Sequence, residues 1–360
     1  MTPPPAPFVD HHVHFLATAA ARLSLDVSAV RSLPELAAAL ARGAPAPGTG
    51  WIRAWGYDEA FLREGRHPTT ADLDRARPEV PVVLHHRTGH AAVLNSRALR
   101  EIGHPDPGPA GGLLVDRHDL LAAVPRLDPA ALRAAARQVS ADWAGRGIGA
   151  FVDATATNGA EQIELLASWR RAGVIEQEVT AMVSPDHLAA VPAYGSGVGP
   201  VRIGPAKIMP GPGLDRVVAA AHAGGFPVAV HVTDIDVLES TLDALEASPP
   251  PPGTRDRIEH NSLSLPEQVS RIAGVGAVVV VNPSFLIHRR PRYERELPAV
   301  ERAWLVRVGS LIGAGIDVRA GSDSPVVPAD PSEMVAAAMA HPFSPGESVD
   351  RETALALLRP

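Results

Sequence analysis

Cysteine is absent from this chain of 360 residues, which excludes disulfides and thiolate metal sites and leaves any metal to histidine and oxygen ligands. Lysine is almost absent too. Of the 33 basic residues, 32 are arginine, and Lys207 is the single lysine. An excess of positive charge is also missing: the formal net charge of −7 argues against nucleic acid or an anionic membrane as the main partner. No run of about 18 apolar residues appears, so no membrane span is expected. The opening MTPPPAPF lacks a basic region followed by an apolar stretch, so no signal peptide is expected, and a cytoplasmic location is the default. What remains is ordinary globular composition, 46% apolar and 20% charged. The length fits about two domains, or one α/β barrel carrying an insertion.

Lys207 lies in the apolar stretch Gly204-Pro205-Ala206-Lys207-Ile208-Met209, where a plain surface charge would be out of place. Arginine cannot be deprotonated in a protein. A buried lysine can be, and a neutral amine is a nucleophile. Two chemistries use such an amine: a Schiff base with a carbonyl substrate, as in a lyase, or reaction with carbon dioxide to give a carbamate that bridges metals.

Short apolar runs alternate with longer helical patterns, most regularly after residue 146. Strands are expected at Phe8–Val13, Gly149–Asp153, Glu178–Val183, Gly204–Ile208, Pro227–His231, Arg255–Glu259, Ala277–Val281 and Ile316–Gly321. Helices are expected between them, including Ala160–Ala172, Leu214–Gly224, Asp236–Ala247, Leu265–Ala273 and Ala299–Ala314. This alternation points to parallel βαβ units and an α/β fold, a (β/α)8 TIM-like barrel with its chemistry at the carboxyl ends of the strands. Residues 16–145 are far too long for an ordinary loop and are expected to form a subdomain inserted between the first two barrel strands, over the barrel mouth.

The first strand, Phe8-Val9-Asp10-His11-His12-Val13-His14, puts Asp10, His12 and His14 on one face and His11 on the other. His231 and His260 end apolar strands, Lys207 stands near the end of another, and Asp323 follows the last. In a barrel all of these converge on one face. Every one is an acceptable ligand for a borderline metal, with zinc the default and iron, manganese or nickel fitting the same donors. A carbamate on Lys207 is anionic, offers two oxygens and can bridge two divalent ions. His12 and His14 with Asp323 would complete one ion, His231 and His260 the other. The remaining histidines lack this placement; His222 and His341 read as loop or helix-surface residues.

The order of these residues resembles the amidohydrolase superfamily: HxH after strand one, lysine after strand four, histidines after strands five and six, aspartate after strand eight. FVDHHVHF, Trp55-Gly56-Tyr57-Asp58, GHAAVLNS (Gly89–Ser96), AKIM, DRIEH (Asp256–His260) and GSDSPV (Gly321–Val326) look like its family 3 branch, which includes N-substituted formamide deformylases. The resemblance spans positions 8 to 326 and implies a metal-dependent hydrolase of a carbon–nitrogen bond in an amide, formamide or cyclic amide. It also implies a small β-sandwich built from segments flanking the barrel. Only seven residues precede Phe8 and the last is Pro360, so that domain is expected to be missing, and a homodimer would cover the surface it leaves. Pro210-Gly211-Pro212-Gly213 replaces the acidic residue that often follows AKIM in the family.

On this basis Asp323 is both ligand and proton shuttle, taking a proton from the attacking water and passing it to the leaving nitrogen. The resemblance puts Tyr57 and His90 near the site as polar substrate contacts. Arg290, in the loop after strand seven, could bind a substrate carboxylate bidentately. Decarboxylation, isomerisation or dehydration at the same metals stays open, because superfamily likeness does not fix chemistry.

Overall fold

The computed structural model describes residues 7–108 and 111–360, so most of the N-terminal MTPPPAPF segment lies outside the described residues. The chain divides into two compact units, one formed by the segment up to His14 together with Ser140–Pro360, the other by Phe15–Val139.

In the first unit eight parallel strands follow one another around a nearly closed barrel. They are β1 (Phe8–Val13), β2 (Ile148–Asp153), β3 (Glu178–Val183), β4 (Val201–Ile208), β5 (Val228–Val232), β6 (Arg257–His260), β7 (Val278–Val281) and β8 (Val318–Ala320). Strands buried on both faces read as continuous apolar runs. The four successive valines of β7 and Val228-Ala229-Val230 of β5 are such runs, and nearly all of these residues are buried. Helices Ala160–Arg171, Leu214–Ala223, Ile235–Ala247 and Pro266–Val275 make the crossovers. Their starts are written locally: Asp234 accepts the Val237 N–H at 2.9 Å as N-cap, and Pro266 opens its helix where no N–H is needed.

The ring closes between β8 and β1 beyond the regular ladder. Asp323 N–H donates to His12 O at 2.7 Å and His14 N–H to Ser324 O at 2.8 Å, with a parallel bridge between Val13 and Ser324. Gly321 makes this approach possible, because a Cβ there would lie 2.5 Å from His12 Cβ and 2.6 Å from its backbone nitrogen.

One expected helix is corrected. Ala299–Ala314 is two short helices, Ala299–Arg302 and Val308–Gly313. Between them Leu305 bridges to Leu263, Val306 N–H donates to Ser262 O at 3.0 Å, and Val306 takes a left-handed φ of 43°. Pairing with the loop after β6 overrides local helix propensity.

The second unit is built on a five-stranded sheet of Leu25–Asp26, Ile52–Tyr57, Val82–His86, Ala91–Leu94 and Leu113–Val115. Strand alternation splits its apolar residues between two clusters: Ile52, Ala54, Val82, Leu84 and Val93 in one, Val83, Ala92, Leu94 and Leu114 in the other. Among the described residues no helix of the chain is long and apolar enough to cross a membrane.

Candidate metal centre

The carboxyl ends of the barrel strands bring polar side chains together in a buried setting. His14 Nε2 lies 3.0 Å and His12 Nε2 3.5 Å from Asp323 Oδ1, and these three residues offer donor atoms within 4.8 Å of one another. The His12 and His260 rings are 4.5 Å apart between centroids, as are those of His260 and His231. His260 and Asp323 have φ angles of 69° and 62°, left-handed values that a residue without glycine's freedom adopts only where its surroundings enforce them.

Three of these imidazoles, His12, His260 and His14, meet a side-chain oxygen through Nδ1. His12 Nδ1–H donates to Glu259 Oε2 at 2.5 Å, and His260 Nδ1–H donates to Asn282 Oδ1 at 2.7 Å, while Asn282 Nδ2 donates to Gly321 O at 2.8 Å. His14 Nδ1 lies 3.3 Å from Thr155 Oγ1. For His12 and His260 the acceptor oxygen at Nδ1 assigns the proton there and leaves the Nε2 lone pair for a ligand. His12 Nε2, His260 Nε2 and Lys207 Nζ are buried without a hydrogen-bond partner among the described residues. Such orphaned donors normally carry a desolvation penalty unless an ion or water completes them. Neutral imidazoles, a carboxylate and a buried amine therefore fit divalent ions of the zinc type.

The electrostatics agree. Burial pushes His260 down to about 3 and His12 down to about 4, with the Lys207 charge adding and the Glu259 carboxylate opposing in the case of His12, so both rings are neutral near pH 7. Burial also pushes the Lys207 amine down to about 8, against the pull of Glu259 and Asp323. A sizeable neutral fraction near pH 7.5 follows from that value. Burial alone would raise the Asp323 carboxyl, but the hydrogen bond from His14 opposes it and holds the carboxyl well below the usual range.

Several of these groups have signals too weak to read alone. Glu259, fully buried, also accepts from Arg257 Nε at 2.7 Å, and Arg257 Nη2 donates to His11 O at 2.9 Å. Its one clue is its place beside His260 in DRIEH. Asp10 Oδ1 accepts from Ser322 N–H at 2.9 Å and so holds the loop that carries Asp323. Glu259→Gln is expected to weaken metal affinity about 10–100-fold, the usual effect of losing a carboxylate behind a ligating histidine. Competition against a chromophoric chelator measures it, and an affinity within twofold of the parent would assign Glu259 to packing alone.

The residues expected to touch substrate are divided between the two units. Tyr57 and His90 belong to the second unit. Tyr57 is fully buried with its hydroxyl 3.0 Å from His67 Nδ1, and His90 Nδ1 lies 2.9 Å from Asp116 Oδ1. Arg290 is not in a loop: it opens the helix Arg290–Glu296, is exposed, and its Nε donates to Glu294 Oε1 at 2.8 Å. Pro291 at the start and pairs four residues apart favour helix there. His222 and His341 are not surface residues. His222 Nε2 lies 3.0 Å from the buried Asp256, and His341 Nε2 donates to Leu305 O at 2.9 Å.

Compared with known proteins, the chain matches the profile of the Amidohydrolase family over residues 5–360. Bacillus subtilis (strain 168) YtcJ, which carries an amidohydrolase name, is 26% identical over 377 residues, covering 90% of this chain and 70% of that protein. The N-substituted formamide deformylase of Arthrobacter pascens is 25% identical over 421 residues, covering 97% and 76%. An uncharacterized metal-dependent hydrolase from Pyrococcus furiosus has the same fold, with a TM-score of 0.72 at 24% identity over 98% of this chain and 80% of that one. One from Pyrococcus horikoshii OT3 gives 0.75 at 20% identity, over 97% and 78%.

Proposed function

Since the chain belongs to the amidohydrolase family, we propose that it is a metal-dependent hydrolase that cleaves the carbon–nitrogen bond of an amide, formamide or cyclic amide at two divalent ions, by default zinc. The observation that carries this reading is the meeting of His12, His14 and Asp323 within 4.8 Å, beside the buried His260 Nε2 and Lys207 Nζ, which have no hydrogen-bond partner among the described residues. His12, His14 and Asp323 would hold one ion and His231 and His260 the other, with a carbamate on Lys207 between them. The neutral Lys207 amine would form a bond to the carbon of carbon dioxide and release one proton, giving an anion whose charge suits a site for divalent ions. When bound, the metals supply an activated water and polarise the substrate carbonyl.

The chain's own residues do the proton work. Asp323, ionised in this setting, accepts the proton of the attacking water at its carboxylate and returns it to the departing nitrogen, so a carboxylic product and an amine result. Glu259 and Asn282 keep the His12 and His260 tautomers constant throughout.

Removal of metal with a strong chelator should abolish turnover of a panel of formamides, acyl amides and cyclic amides, and zinc with bicarbonate should restore it. Turnover that persists in protein shown to be metal-free would remove this reading. Borohydride trapping of substrate on Lys207 would replace it with a Schiff-base lyase.

A further inference from the structure

We propose that Arg289 binds an anionic group of the substrate and that this group is a carboxylate; the proposal rests on the hydrolase reading above. Asn282, which anchors His260, leads directly into Ser284-Phe285 and the helix Phe285–His288. The Phe285 ring lies parallel to the His260 ring, 12° and 6.4 Å away, and Arg289 Cζ stands 4.4 Å from the Phe285 centroid. These two separations put the guanidinium carbon no more than 10.8 Å from the centre of the His260 ring.

The cations around Arg289 are neutralised and it is not. Arg290 pairs with Glu294 and Arg292 with Glu296, each four residues on, and His288 pairs with Glu333. Four residues beyond Arg289 stands Tyr293 instead of an acid. No carboxylate pairs with Arg289 among the described residues, and its Nε is buried without a hydrogen-bond partner. A guanidinium never sheds its proton, so a half-buried one without a counter-ion is costly until an anion completes it. Its planar fork, already oriented by stacking on Phe285, matches a carboxylate bidentately. The ions of the hydrolase reading would offset the charge of the buried Asp10, Glu259 and Asp323, so the anion is chosen by shape, and the planar fork fits the two oxygens of a single carboxylate. The substrate class is therefore an N-acyl or N-formyl amino acid, or a cyclic amide bearing a carboxylate.

The test compares racemic N-formylleucine with its C-terminal amide as substrates of the metal-loaded wild type, Arg289→Gln and Arg289→Lys. The wild type should favour the acid by tenfold or more in kcat/KM. In Arg289→Gln the acid-to-amide ratio should fall at least tenfold through KM, with part of it kept by Arg289→Lys. A wild type indifferent to the carboxylate, or equal losses on both compounds in Arg289→Gln, would overturn the proposal. If neither compound is cleaved, the hydrolase reading fails for formamides. Calorimetry of N-formylleucine binding to the loaded protein then decides: tenfold weaker binding in Arg289→Gln supports the anion site, and equal or absent binding overturns it.

Discussion

Lys207→Arg is expected to give a folded protein that has lost its metal and at least 10³-fold in kcat/KM, a loss of about 4 kcal/mol in transition-state stabilisation. Arginine keeps positive charge and length but cannot become neutral, so it cannot form a carbamate. A permanent cation would also stand where two divalent ions are to bind. The side chain is 2% exposed, with Glu259 and Asp323 close enough to act on its charge. Lys207→Met, neutral and similar in length, separates the two possible roles. If Lys207 only balanced buried carboxylates, arginine would be tolerated and methionine would not; if it is the carbamate, both variants lose metal. Metal content by elemental analysis, with circular dichroism to establish the fold, reads the outcome. Wild-type turnover in Lys207→Arg would end the bridging role.

Asp323→Asn should lower kcat by about 10³-fold, within the range of 10²–10⁴ attributed to a positioned acid–base group. The amide keeps nearly the same shape and an oxygen that can still reach a metal, so occupancy should fall less than turnover does. It removes the group that would carry a proton from water to leaving nitrogen, and it removes the partner of His14, 3.0 Å away. Partial metal retention together with deep loss of kcat is the signature of a shuttle. A kcat within tenfold of the parent at full occupancy would confine Asp323 to holding metal.

Much of the barrel was legible because parallel strands bury both faces. Runs such as Val278–Val281 and Val228-Ala229-Val230 have no other ready use, and the polar residue ending each run marks the open end. The candidate ligands were legible for the same reason: His231, His260 and Lys207 interrupt apolar strands at their termini. What stood behind them was not. Asn282 and Glu259 earn their positions from partners 22 and 247 residues away, His260 and His12, and no local period encodes such a pairing. The break at Val306 was hidden because its cause is the bridge of the adjoining Leu305 to Leu263, 42 residues away in the chain. Arg290, expected in the loop after the seventh strand, opens a helix instead. Only the placement of Glu294 and Glu296 distinguishes it and Arg292 from Arg289.

The seam between the first and last barrel strands carries a consequence of its own. His12 and His14 sit on one side of it and Asp323 on the other, joined by two backbone hydrogen bonds and the bare α-carbon of Gly321. An ion held by these three side chains would act as a clasp, fastening the beginning of the sheet to its end. Filling the centre would then turn an almost complete ring into a circular one, and the energy of coordination would appear as resistance of the whole barrel to unrolling.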